Sequence, residues 1–129
     1  MVSIDYAKSD AHRANFLQHA PKFLIVDEAH GATAVAKGTG GGSNQQQRHE
    51  LLRDLASDSS RHLILLTATP HSGVEAGFLS LLGLLRTEFQ SLNLSSMNES
   101  ERIELASHFV QRRRVDVASW LGEETPLPN

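Results

Sequence analysis

Two uninterrupted apolar runs, Phe23-Leu24-Ile25-Val26 and Leu63-Ile64-Leu65-Leu66, constrain this chain more than any other feature. Neither run alternates with polar residues, and each is too short for a buried helix. Such runs fit strands covered on both faces, as in a parallel sheet. We place the first strand over Lys22 to Asp27 and the second over His62 to Thr67. Each lies between segments with helical spacing, and strands alternating with helices specify an α/β fold, here a parallel sheet in a three-layer α/β/α arrangement. The 129 residues fit one domain or a piece of one. Hydrophobic residues at 40% and charged residues at 21% are globular values, and aromatics at 5% leave the core to Leu, Ile, Val and Ala.

The intervening segments supply the helices. A strand-like start at Met1 to Ile4 precedes a helix over Asp5 to His19, with Ala7, Ala11, Ala14 and Leu17 as a small-residue stripe and Pro21 ending it. Residues 31–47, with four glycines between Gly38 and Gly42, read as a flexible surface loop. A helix follows over Gln46 to Ser57, with Leu51, Leu52 and Leu55 on one face. Thr69 to Gly73 is a turn. The helix at Glu75 to Arg86 is apolar over too much of its circumference to be half exposed. Asn98 and Glu101 make a capping box for a helix from Glu99 to about Arg113, with Ile103, Ala106, Phe109 and Val110 inward. The expected order is β-α-β-α-β-α-α, without internal repeats.

Composition excludes several function classes. With no cysteine there is no disulfide framework, thiolate metal site or cysteine nucleophile. A net charge of −3 argues against a strongly basic nucleic-acid clamp. No apolar run approaches the ~20 residues of a membrane-spanning helix, and the N-terminus has no secretory pattern, so the expectation is a cytoplasmic protein without a membrane partner. His49-Glu50-Leu51-Leu52-Arg53 begins like a zinc hydrolase motif but lacks its second histidine. Most of the seven histidines are expected at the surface.

Ligands of open parallel sheets bind at the carboxyl ends of the strands. Both strands here end in polar clusters, Asp27-Glu28-Ala29-His30 and Thr67-Ala68-Thr69-Pro70, placed along one edge of the sheet. An aspartate there suits a hard Mg²⁺ ion, and the adjacent glutamate can orient or deprotonate a water attacking a phosphate.

These clusters resemble the second and third motifs of superfamily-2 helicases and translocases, and the spacing of 40 between Asp27 and Thr67 suits an intervening loop and helix. Leu65 to Gly73 resembles the Swi/Snf-type branch, which moves on duplex DNA. Val2 to Lys8 and Phe109 to Asp116 resemble the segments flanking that region. The resemblance implies a RecA-like lobe in which Asp27 coordinates the Mg²⁺ of Mg-ATP and Glu28 is the catalytic base. It implies that His30 couples the nucleotide site to a second lobe, and that Thr67 and Thr69 link hydrolysis to movement through hydrogen bonds to the Asp-Glu-Ala-His loop. Arg112, Arg113 and Arg114 read as a solvated helix end beside Glu101 and Glu104, or as a contact to backbone phosphate or the other lobe.

The family also needs a Gly-x-Gly-Lys-Thr loop around the phosphates. The three lysines, Lys8, Lys22 and Lys37, do not follow a glycine, so the loop is missing from residues 1–129. The expectation is therefore the back portion of a first lobe without its phosphate-loop strand, with residues 112–129 as the lobe-closing segment. The chain alone is expected to be inactive, and to self-associate through an open sheet edge at Leu63 to Leu66. Two rivals stay open: a non-catalytic α/β interaction module with a degenerate motor sequence, and a different phosphate-loop hydrolase.

Overall fold

The computed structural model describes residues 1–34, 42–69 and 75–112. The chain divides into two units, Met1–Asn93 and Leu94–Asn129.

The first unit is mixed α/β. Its helices are α1 (Ile4–Ala7), α2 (Asp10–His19), α3 (Gly42–Ala56) and α4 (Glu75–Leu85), and its strands are β1 (Phe23–Val26) and β2 (His62–Leu65). Short 3-10 turns occupy Ala29–Ala32 and Thr87–Ser91. The strands pair in parallel, with Phe23 opposite His62 and Val26 opposite Leu65. The His62 amide donates to Lys22 O at 2.6 Å and the Leu66 amide to Val26 O at 2.8 Å.

The start of the chain departs from expectation. Met1 to Ile4 is no strand: Ser3 caps α1, its Oγ accepting from the Asp5 amide at 3.3 Å. The single helix expected over Asp5 to His19 breaks at Ser9. There the Ser9 hydroxyl donates to Tyr6 O at 2.9 Å, while the Ser9 carbonyl accepts from the His12 and Arg13 amides and starts α2. A serine that bonds its neighbouring backbone competes with helix continuation. Lys8, at the break, is buried at 6% exposure. Its ammonium donates to Asn44 Oδ1 at 2.6 Å and lies 3.3 Å from Asp5.

The glycine-rich segment is shorter than its composition implies. Ala32 and Thr33 are buried, Thr33 Oγ1 accepts from Gln45 Nε2, and the Ala34 amide donates to Ser80 Oγ at 2.9 Å. Helix α3 begins at Gly42, four residues before the expected Gln46. The middle of the expected loop, 35–41, lies outside the described residues.

The core joins Leu51, Leu52 and Leu55 of α3 to Leu81 and Leu84 of α4, with Ala7, Ala29 and Ala32 filling narrow gaps. Leu24, Val26 and Leu65 pack on this cluster from the sheet. The opposite face is different: Phe23 is 55% exposed, Ile25 58%, Ile64 41% and Leu66 47%. The expected burial of both strand faces is therefore corrected. The described helices cover one face of a two-stranded sheet, and the apolar residues of the other face meet solvent.

In the second unit, α5 (Glu99–Ala106) carries the expected capping box. The Glu101 amide donates to Asn98 Oδ1 and the Asn98 amide to Glu101 Oε2, each at 2.9 Å. The helix stops at Ala106 rather than near Arg113, because the Ser107 hydroxyl folds back to donate to Glu104 O at 2.7 Å. With that stop, Phe109 and Val110 leave the helix and the expected inner face dissolves. Ile103 is 65% exposed, and Leu105, on the other side of the helix, is buried.

Among the described residues no helix is long and apolar enough to cross a membrane.

Candidate functional site

The carboxyl ends of β1 and β2 lie side by side, so their polar clusters meet. Leu66 O accepts from the Ala29 amide at 2.9 Å, which stitches the end of β2 to the turn after β1. This contact fixes where Asp27, Glu28 and His30 stand relative to Thr67.

The turn itself is tight. Asp27 Oδ1 accepts from the Glu28 amide at 2.9 Å, and Glu28 O accepts from the Gly31 amide at 3.0 Å. Glu28 has φ 51° and ψ 44°, the one positive φ among the described non-glycine residues. A left-handed glutamate is held against its own preference, at a cost of order 1 kcal/mol. Such a conformation persists only where surrounding bonds over-determine it, as the Ala29 and Gly31 amides do here.

His30 joins the two clusters. Its Nδ1 lies 3.1 Å from Glu28 Oε2 and 3.2 Å from Thr67 Oγ1. An ionised carboxylate only accepts, so Nδ1 carries a hydrogen shared between Glu28 and Thr67. Thr67 Oγ1 also accepts from the Thr69 amide at 3.2 Å, and this folds the chain after β2 back toward the imidazole. The Glu28 side chain is 65% exposed and that of His30 39%, so the contact is solvent-screened and holds position more than it adds stability.

The structure thus brings Glu28, His30 and Thr67 into one hydrogen-bonded group, with Asp27 beside it. Thr69 takes part through its backbone amide. Arg112 is exposed in the second unit. Arg113 and Arg114 lie outside the described residues.

Asp27 and Glu28 offer only carboxylate oxygens. Among the described residues no three His, Asp or Glu side chains gather into a metal cage. Two exposed carboxylates suit Mg²⁺, which keeps several waters and takes further oxygens from a bound phosphate.

The sequence reading missed His49. It is 8% exposed, and its Nδ1 lies 3.0 Å from Ala32 O. Its spacing from Leu52 and Ala56, three and seven residues on, put it on the core side of α3, a signal that the counting of surface histidines overlooked.

Comparison with protein-family models, with curated protein sequences and with solved structures finds no match for this chain.

Proposed function

We propose that residues 1–129 form part of an ATP-dependent nucleic-acid motor of the helicase and translocase kind, acting on duplex DNA in the cytoplasm. The reading is supported above all by the bridge from Glu28 through His30 to Thr67. It joins the residue suited to activate water to the segment suited to sense the polymer, across two strand ends 37 residues apart for His30 and Thr67.

In this reading the parallel pair belongs to a RecA-like lobe whose phosphate-binding loop comes from elsewhere in the motor. Bound Mg-ATP supplies the reactive phosphoanhydride and the metal's Lewis acidity. Asp27 would hold the metal, with the carboxylate oxygen that the Glu28 amide leaves free. Glu28 orients the attacking water and takes its proton. His30 Nδ1–H holds one Glu28 oxygen, so motion of Thr67 moves the carboxylate. A shift of Thr67, driven by the nucleic acid, thereby reaches the water-activating group without touching the nucleotide.

The test separates basal from polymer-stimulated ATP hydrolysis in the intact motor. Thr67→Val removes the hydroxyl and keeps the shape. Basal hydrolysis is expected within about twofold of wild type, while stimulation falls by about tenfold, roughly one hydrogen bond to a charged partner. Full stimulation in the variant refutes the coupling role.

A second reading is favoured by the uncovered sheet face. Phe23, Ile25, Ile64 and Leu66 form an apolar surface, and among the described residues β2 has an edge beside it that no strand pairs. A non-catalytic interaction module would use this surface, and the same surface supports self-association of the isolated chain. The exposed members of the Leu63 to Leu66 segment are Ile64 and Leu66.

A further inference from the structure

Helix α3 contributes no residue to the group of Glu28, His30 and Thr67, yet one of its faces grips the segment that follows them. Gln45, Arg48 and His49 have i, i+3, i+4 spacing and share that face. Gln45 Nε2 donates to Thr33 Oγ1, Arg48 Nη1 to Gly31 O at 3.4 Å, and His49 Nδ1 to Ala32 O at 3.0 Å. Three successive residues after His30 are thus held by three donors of one helix.

His49 is the central member, being more than nine-tenths buried. Ala32 O can only accept, so Nδ1 carries a hydrogen and the ring is held in one tautomer. Arg48 contributes less: its contact to Gly31 is long, and the same guanidinium forks onto Asp5. The last carbonyls of a short helical turn have no partner within it, so a buried one needs a donor from outside.

The Ala29–Ala32 turn carries this hold to the site. The Gly31 amide donates to Glu28 O at 3.0 Å, and the Ala29 amide to Leu66 O at 2.9 Å. The Ala29 and Ala32 side chains are both buried. A turn pinned at each end moves as one piece, so a displacement at Ala32 tilts Glu28 and His30 together. The left-handed Glu28 backbone persists only where its surroundings over-determine it. Strand β2 pins one side of the turn, and α3 pins the other.

We propose that His49 is a positioning residue of this site. It touches neither Glu28 nor His30. It fixes the end of the turn so that Glu28 stays left-handed and His30 Nδ1–H stays shared between Glu28 and Thr67. The consequence for ATP hydrolysis rests on the motor reading; the effect on His30 does not.

The experiment is NMR of the isotope-labelled full chain, reading the His30 ring nitrogens at alkaline pH, beside steady-state ATP hydrolysis by the intact motor. In the unmutated chain the His49 Nδ1–H proton is expected to exchange slowly with water. His49→Leu and His49→Phe remove the donor and keep an apolar side chain in its place. In either folded variant the His30 signals are expected to move from the Nδ1–H pattern toward a mixture of tautomers. His49→Asn, whose amide nitrogen reaches about where Nδ1 stood, is expected to restore the pattern. Leu55→Ala, a buried truncation further along α3, is expected to lower stability and leave His30 unchanged. A merely structural His49 would make the two sites alike. In the motor, the apolar variants are expected to lose about tenfold to 10²-fold in kcat at unchanged KM for ATP, the scale of a small misplacement at a reacting centre. Rapid exchange of the His49 proton, unchanged His30 signals in a folded apolar variant, an equal change in Leu55→Ala, or no recovery with asparagine overturns the proposal. A motor inert with ATP overturns the motor reading alone, since the NMR results do not depend on hydrolysis.

Discussion

The two faces of the β1–β2 sheet are built from almost the same residue types and meet opposite surroundings. Leu24, Val26 and Leu65 pack on the leucines of α3 and α4, whereas Phe23, Ile25, Ile64 and Leu66 meet solvent at about half of their surface. In the register Ile25 stands opposite Ile64, so the exposed residues lie together on one side. Side-chain type therefore does not decide burial here; the presence of a covering layer does. A parallel sheet is nearly always covered on both faces. The open face is thus the part of the fold that asks for a partner surface, and the covered face is the part that holds the unit together.

The sharpest way to break this contrast is to truncate one residue on each side. Leu52→Ala, at 2% exposure, is expected to destabilise the first unit by about 2–5 kcal/mol in chemical denaturation. Ile25→Ser, on the open face, is expected to change stability by no more than about 0.5 kcal/mol. Comparable losses at both positions would mean that the open face is covered in solution.

A smaller effect concerns association. Phe23→Ser combined with Ile64→Ser is expected to lower the apparent mass of the isolated chain in light scattering at high concentration, toward that of one copy. A monomer in both wild type and variant would remove self-association from the account.

The smallest effect is electrostatic and belongs to the covered side. Arg48 forks onto Asp5, with Nε and Nη2 each 2.8 Å from a carboxylate oxygen, tying α1 to α3. The Arg48 guanidinium, aided by Lys8, holds the Asp5 carboxyl below its ordinary value of 3.8. Ser60 does the same for Asp58. A lowered folded pKa contributes stability that is complete above the unfolded value and is lost as pH falls through the folded one. Thermal stability is therefore expected to fall below about pH 4, and Asp5→Asn to flatten part of that slope. An unchanged slope would show that the fork adds nothing in solution.

Legibility in the sequence followed locality. Strand positions, the apolar helix at Glu75 and the Asn98–Glu101 box depend on neighbours within a few residues, and they were readable. The break at Ser9 was not, because a serine inside a helical pattern shows no sign of bonding backward. The early start of α3 was hidden by glycines that composition assigns to a loop. The open face was unreadable in principle, since an apolar run specifies what a strand wants and not what is present to cover it. At the site, the residues themselves stood out as polar clusters after apolar runs. What the sequence could not supply was the left-handed Glu28 and the shared His30 Nδ1, which depend on the Ala29–Leu66 contact between the strand ends.

The central claim is that Glu28 activates water for ATP hydrolysis in a nucleic-acid motor. Its most direct test is nucleic-acid-stimulated ATP hydrolysis by the intact protein, beside its Glu28→Gln variant, with ATP binding measured in both. The account predicts stimulation by duplex DNA, and a variant that binds ATP as before but hydrolyses it 10²–10⁴-fold more slowly, the usual worth of a general base. A protein inert with every polymer, or a variant as active as wild type, would contradict the account and leave the interaction module in its place.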